Sequence, residues 1–374
     1  MIDFSSSLYL GMQHSMHTLQ PWSQLTSGKP GLLHKPVQQQ FVEHKLADLM
    51  GYEQTMLGTS TLHLFWDVFG MLSKLPVVIY FDEHVYPIAQ WGIERSAYHG
   101  ITVRQYSHHR ADKLYQQVSI DCMNGIRPVV VTDGFCPGCG KFAPMKELLK
   151  SIQKYNGYLL IDDTQALGVF GQHGNKDNKY GWGGGGSLQW HQIQDKHVIS
   201  ISSLAKGFGV PVAVLAASHD FIHDFMAASE TIVHTSPPSF AVIEATRHAL
   251  QINQHNGDEI RARLQRLILF FKKQLALAGL SSLQGYFPLQ TLTAIPQISF
   301  KKLYQQLLQA GIQTVLHRIR CTGRAGISFI INARHQSSHI TKAISMLAQI
   351  IRGTATTDYW ELQDEYLSDG IRAF

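Results

Sequence analysis

One lysine, a pair of carboxylates and a hydroxyl-rich turn carry the chemistry legible in this chain. Lys206 lies in SISSLAKGFGVPVAVLAAS (Ser200 to Ser218), a Ser/Gly-rich turn after a β-branched run, where an amine enters a cleft with little steric competition. IDDTQALGVFG (Ile161 to Gly171) puts Asp162 and Asp163 at the end of another such run. GTSTLHL (Gly58 to Leu64) sets Thr59, Ser60 and Thr61 before a helical pattern, and the free N–H groups of a helix start bind phosphate. A Schiff-base amine, a carboxylate that keeps a pyridine nitrogen protonated and a phosphate cradle together describe a site for pyridoxal 5′-phosphate.

These residues need a rigid frame, and the pattern of the chain supplies one. Short β-branched runs alternate with helical patterns, which predicts βαβ units and a mostly parallel sheet in an α/β protein. The expected strands are Val77 to Asp82, Ile101 to Ser107, Pro128 to Gly134, Tyr158 to Asp163, His197 to Ser203 and Val212 to Ser218. Asp82, Asp133, Asp162 and Ser203 collect at their C-terminal ends, where open parallel sheets hold ligands. Helices are expected before Gly51 and after Pro144, then over Ile260 to Leu277, Phe300 to Ala310 and Ile340 to Ile351. The reading is a large cofactor domain over residues 41–255 and a smaller α+β domain made from residues 1–40 and 256–374.

Composition narrows the function classes. Hydrophobic residues make up 44% of the 374 and charged residues 16%, which excludes a disordered chain. Lys and Arg number 32 against 27 Asp and Glu, a net +5 without a basic run, so neither nucleic acid nor a membrane surface is an expected partner. No stretch of roughly 18 apolar residues spans a bilayer and no leader pattern opens the chain, so the expectation is a cytoplasmic protein. So little charge points to surface buried in a subunit interface.

Three features have plainer readings. Thr59, Ser60 and Thr61 also suit an ordinary helix cap. Cys136 and Cys139 in CPGC suit a redox pair or half a zinc site, but Cys122 and Cys321 form no second pair, so a tight turn without a metal is expected. The stretch Gly171 to Trp190, with GWGGGGS inside it, lacks the order of a P-loop and reads as a flexible loop or an active-site lid. The acidic, aromatic tail from Thr354 carries no assigned role.

The motifs also carry a resemblance. SLAKGFG resembles the Schiff-base lysine motif of fold-type I pyridoxal-phosphate enzymes, and IDDTQALGVFG resembles the D-[DE]-A-H-x-x-G-x-x-G segment of their α-oxoamine synthase family. FSSSLYLGMQH, FDEHVYPIAQWGIERS and VVVTDGFCPGCGKFAPMKEL are similar to further segments of that family, in the same order. The resemblance implies that Lys206 forms the Schiff base and moves the Cα proton. It implies that Asp162 bonds the pyridinium nitrogen and that His84 stacks on the ring. Ser203, Thr59, Ser60 and Thr61 would bind the phosphate, and Asp133 would belong to the cofactor pocket. Thr235, in HTSPPS, would reach the phosphate of a neighbouring subunit, which makes the enzyme a homodimer with a shared site.

Departures from the pattern bear on the substrates. Gln165 stands where the family has a histidine against the cofactor's 3′-oxygen; an amide donates that bond but carries no titrating proton. Gly326 stands at the place of the family's carboxylate-binding arginine, so Arg324, Arg320 or Arg318 is expected to supply the guanidinium. The reaction implied is condensation of an amino acid with an acyl thioester, on CoA or a carrier protein, with loss of carbon dioxide. An aminotransferase on the same fold and a catalytically inactive partner subunit are the alternatives.

Overall fold

The computed structural model describes residues 1–122 and 125–354, so all of the acidic tail but Thr354 lies outside the described residues. The chain divides into two compact units: residues 12–136 with 142–258, and residues 1–11 with 137–141 and 259 onward.

The larger unit is built on a seven-stranded sheet. Its strands are β1 (Gln54–Gly58), β2 (Val77–Asp82), β3 (Thr102–Tyr106), β4 (Arg127–Asp133), β5 (Tyr158–Asp162), β6 (Val198–Ser203) and β7 (Ala213–Ala217), in the order β1-β7-β6-β5-β4-β2-β3. Only β7 runs against its neighbours. Strand side chains alternate between faces, and here both faces are apolar: Val129, Val131 and Leu160 join one buried cluster, and Val130, Leu159 and Ile161 the other.

α1 (Val37–Met50) precedes β1, and further helices close both faces of the sheet. α2 (Thr61–Leu72) brings Phe65, Val68 and Phe69 to the first cluster beside α3 (Pro87–Tyr98). α4 (Ala111–Asp121) and α5 (Met145–Ile152) bring Leu114, Val118, Leu148 and Ile152 to the second.

The structure differs from expectation in three places. β1 is a seventh strand; its sequence, QTMLG, lacks a β-branched run, and antiparallel pairing with β7 makes it extended. The helix expected from Ile260 begins at Phe240. Residues 12–40 cluster with the larger unit, because Gly31 and Leu32 donate backbone N–H bonds to Thr235 and Ile232, and Phe240 donates to Leu25.

The smaller unit holds a three-stranded antiparallel sheet of β8 (Leu289–Thr291), β9 (Val315–Arg318) and β10 (Ala325–Ile330), in the order β8-β10-β9. Helices Phe300–Gln309 and Ser337–Thr354 accompany it, and Ile2–Asp3 pairs in parallel with Ile312–Gln313.

Candidate active site

The sheet register lines up the chemistry. Asp133 stands opposite Asp162 on neighbouring β4 and β5, Asp162 opposite Ile201 on β6, and Ser203 and Gly58 both opposite Ala213 of β7. β2 and β4 are neighbours from which the chain departs in opposite directions, the switch point at which open sheets take ligands.

The two principal turns are bonded to each other. Asp162 Oδ1 accepts the Thr164 N–H at 3.0 Å, and Thr164 Oγ1 accepts the Ser203 N–H at 3.0 Å. Ser203 Oγ in turn accepts from Ala205 N at 3.3 Å, which shapes the turn that ends on Lys206. Gly168, at φ +86°, and Gly207 bring the backbones together: a Cβ on Gly168 would lie 3.0 Å from Gly207 Cα, and one on Gly207 would strike the Leu167 carbonyl oxygen. Lys206 and Gln165 are half-buried in these turns, and Asp162 is 7% exposed.

Asp163 faces a different environment. It accepts from the Ser187 backbone N at 2.9 Å and the Ser187 hydroxyl at 2.5 Å. Burial pushes its carboxyl up to about 7 although both Ser187 donors favour the charged form. Ser187 begins α6 (Ser187–His191), so Asp163 pins the far end of the glycine-rich stretch. Bridges Leu167↔Gly185 and Gln172↔Trp182, a buried Tyr180, and bonds from Gly183 N to Asp258 and from Asn253 to the Gly183 carbonyl give that stretch a defined path. The stretch expected to be a flexible loop or a lid is thus bonded to Asp163, Asn253 and Asp258.

At the other end of the line, Asp133 Oδ1 accepts the Tyr86 N–H at 3.0 Å. His84 donates its backbone N–H to Asp82 Oδ1 at 2.9 Å, and its ring meets His108 edge-on at 4.8 Å between centroids. Asp82 also contacts His108 Nδ1 at 2.8 Å and accepts the His109 N–H at 3.0 Å. Burial opposes its charge, but the His108 and His109 bonds outweigh burial and hold the carboxyl below the ordinary range. This Asp82–His108 pair escaped the sequence reading; the only signal was Asp82 at a strand end.

The hydroxyl turn caps α2. Ser60 is extended, and its Oγ accepts the His63 N–H at 3.4 Å; Thr59 is exposed. His63, also missed, places Nδ1 at 2.8 Å from Ser60 Oγ and 3.1 Å from Thr59 Oγ1. Thr59 and His63 line one pocket with Lys35, Thr231, Thr235 and Ser236. Thr235 Oγ1 donates to the Thr231 carbonyl at 2.6 Å.

In the smaller unit, Arg318 ends β9, and Arg320 and Arg324 follow in the turn to β10; Arg318 and Arg324 are exposed. Gly326 stands opposite His317, and a Cβ there would come within 2.9 Å of side-chain atoms of Ile319 and Thr291, so a side chain at this position would have to displace them. CPGC occupies the turn between Phe135–Cys136 and Lys141–Phe142, and no disulfide joins cysteines among the described residues.

Comparison with known proteins bears on this arrangement. The chain is 28% identical over 258 residues to 8-amino-7-oxononanoate synthase of Thioalkalivibrio sulfidiphilus, a match covering 68% of this chain and 63% of that relative's length. The crystal structure of 8-amino-7-oxononanoate synthase from Francisella tularensis superposes with a TM-score of 0.71 at 20% identity, covering 95% of this chain and 98% of that one. A Sphingomonas wittichii serine palmitoyltransferase superposes with a TM-score of 0.80 at 16% identity, covering 95% and 88%. These likenesses show the fold-type I architecture that the motif resemblance implied, with the mostly parallel sheet expected from the strand pattern. The model of aminotransferase class I and II matches residues 1–345, and the chain belongs to that family.

Proposed function

We propose that this protein is a pyridoxal-phosphate-dependent acyltransferase of the α-oxoamine synthase type, joining an amino acid to an acyl thioester with loss of carbon dioxide. The observation that carries the reading is the meeting of the Lys206 and Asp162 turns at the ends of neighbouring strands. The donor set fits the cofactor: a half-buried amine, a carboxylate 7% exposed and a helix start rich in hydroxyls match an aldehyde, a ring nitrogen and a phosphate.

When bound, the cofactor withdraws electrons from the Cα of an attached amino acid. Lys206 would hold it through its amine and would remove the Cα proton and return it. Asp162 keeps a proton on the ring nitrogen by its negative charge, and its burial strengthens the pairing. His84 would pack on the ring, Gln165 would donate an amide N–H to its oxygen, and Ser203, Thr59, Ser60 and Thr61 would bind the phosphate. Asp133 positions the wall opposite through the Tyr86 backbone. Arg320 or Arg324 grips the substrate carboxylate. Thr235 serves the phosphate of a second copy, so the working unit is a cytoplasmic homodimer fed by acyl-CoA or an acyl carrier protein.

The test is to mix the protein with cofactor, amino acids and acyl-CoA. Release of CoA with an aminoketone supports the reading; formation of a 2-oxo acid would replace it with the aminotransferase. Lys206→Ala is expected to abolish the cofactor's visible absorbance and lower turnover by at least about 10²–10⁴-fold. An unchanged spectrum in that variant removes Lys206 from its role, and a wild type that takes up no cofactor is the inactive partner.

A further inference from the structure

His63 sits where it controls the direction of two hydroxyl protons. Its Nδ1 lies 2.8 Å from Ser60 Oγ and 3.1 Å from Thr59 Oγ1, while its own backbone N–H is bonded to Ser60 Oγ. Imidazole Nδ1 either offers one lone pair or carries one proton. Without the proton it draws a hydroxyl hydrogen toward the ring. With the proton, as the neutral Nδ1–H tautomer or as imidazolium, it donates to the oxygens, and both hydroxyl hydrogens turn outward.

An anion at the start of α2 selects the second arrangement. It gains two hydroxyl donors from either protonated form of Nδ1, and the imidazolium adds over the neutral tautomer a positive charge one turn into a helix whose N–H groups already favour an anion. The other charged groups nearby are committed. Lys35, which lines the same pocket, is ion-paired with Glu43, and Glu43 also accepts the Leu57 N–H at 2.8 Å. Asp67, one turn further along α2, is taken up by Ser229 and by the backbone and hydroxyl of Thr231. Arg95 stacks on Trp66 of α2 and pairs with Glu230 of the helix Glu230–His234.

We infer that His63 is a positioning residue that takes up a proton from solvent when a phosphate monoester binds at the start of α2, turning the Thr59 and Ser60 hydroxyls onto it. The inference rests on the cofactor reading above and names a residue of this chain beyond it.

The experiment measures binding of pyridoxal 5′-phosphate and of pyridoxal, which lacks the phosphate, to the full-length protein by tryptophan fluorescence. It spans about pH 5.5 to 8.5, where imidazole changes charge. Relative to the variants, the ratio of the two affinities in the wild type is expected to fall about tenfold toward the alkaline end, the difference between a charge-assisted and a neutral donor set. His63→Asn keeps an acceptor at the Nδ1 position but carries no charge. It should match the wild type at the alkaline end and lose the advantage in acid, with His63→Gln as a second neutral variant. The phosphate's own ionisation is common to all three proteins and cancels. Parallel profiles in the wild type and both variants overturn the inference while leaving the cofactor reading intact. Failure of the wild type to prefer the phosphorylated ligand at any pH overturns both.

Discussion

Asp162 and Asp163 are adjacent, yet alternation along an extended chain sends them to different surroundings. Asp162 organises the turn toward Lys206, whereas Asp163 is sealed against Ser187. The second of these has a thermodynamic signature. Its carboxyl rises to about 7 in the folded protein, chiefly through burial, while an unfolded aspartate titrates near 3.8. Between those values the folded state holds a proton that the unfolded chain has released. The stabilisation is therefore complete below about pH 4 and is lost as pH climbs through about 7. Asp163→Asn, neutral throughout and able to accept from Ser187, should unfold at a temperature that gains on the wild type from about pH 4 to 7, by ~2–4 °C for each kcal/mol of linkage. Thermal unfolding across that range checks it, and parallel curves for the two proteins would refute it. Lys206 and Asp162 were legible because each closes a recognisable local pattern. His63 and His108 were not: a histidine among 20 acquires meaning only from what it touches, and Asp82 reaches His108 across neighbouring strands.

The turns work because their backbones touch. Gly207 lies against Leu167 and Gly168, so Gly207→Ala should force the Lys206 turn away from the Asp162 turn. A cost of about 1–3 kcal/mol, typical of overpacking, is expected in denaturant unfolding, together with weaker cofactor retention. An alanine variant with unchanged stability would show that the contact relaxes without cost. Strands with β-branched runs were readable from composition alone; β1 was not, because its extended state comes from pairing with β7 rather than from the preferences of Gln, Thr, Met, Leu and Gly. The same holds for the glycine-rich stretch. Its residues predict freedom, while Asp163, Asn253 and Asp258, remote in sequence, supply the bonds that shape it.

The low charge content raised an expectation of buried surface between subunits, and the larger unit carries apolar side chains suited to it. Trp91 is 51% exposed on α3 and Trp66 41% exposed on α2, helices that pack together, with Arg95 stacked on Trp66 at 4.1 Å. If this face joins two copies, Trp91→Glu buries a carboxylate against apolar partners and should shift the protein from dimer toward monomer in sedimentation velocity. A wild type that sediments as a monomer, or a variant that remains dimeric, argues against this face. No helix among the described residues is long and apolar enough to cross a membrane. The division between units also differs from a reading by chain position: residues 12–40 cluster with the larger unit because their backbone bonds go to Ile232, Thr235 and Phe240.

By itself the sequence determined the parallel sheet, the strand ends that carry Asp133, Asp162 and Ser203, the lysine turn and the capped start of α2. These depend on local propensity, on hydrophobic period and on turn chemistry, all written within a few residues. Tertiary structure alone decided that β1 is a strand, that Asp163 is sealed against Ser187, that a side chain at position 326 would meet Ile319 and Thr291, and that His63 faces both hydroxyls of the turn. Burial and hydrogen-bond partnership set the chemistry of a polar group, and both are supplied largely by residues distant in the chain.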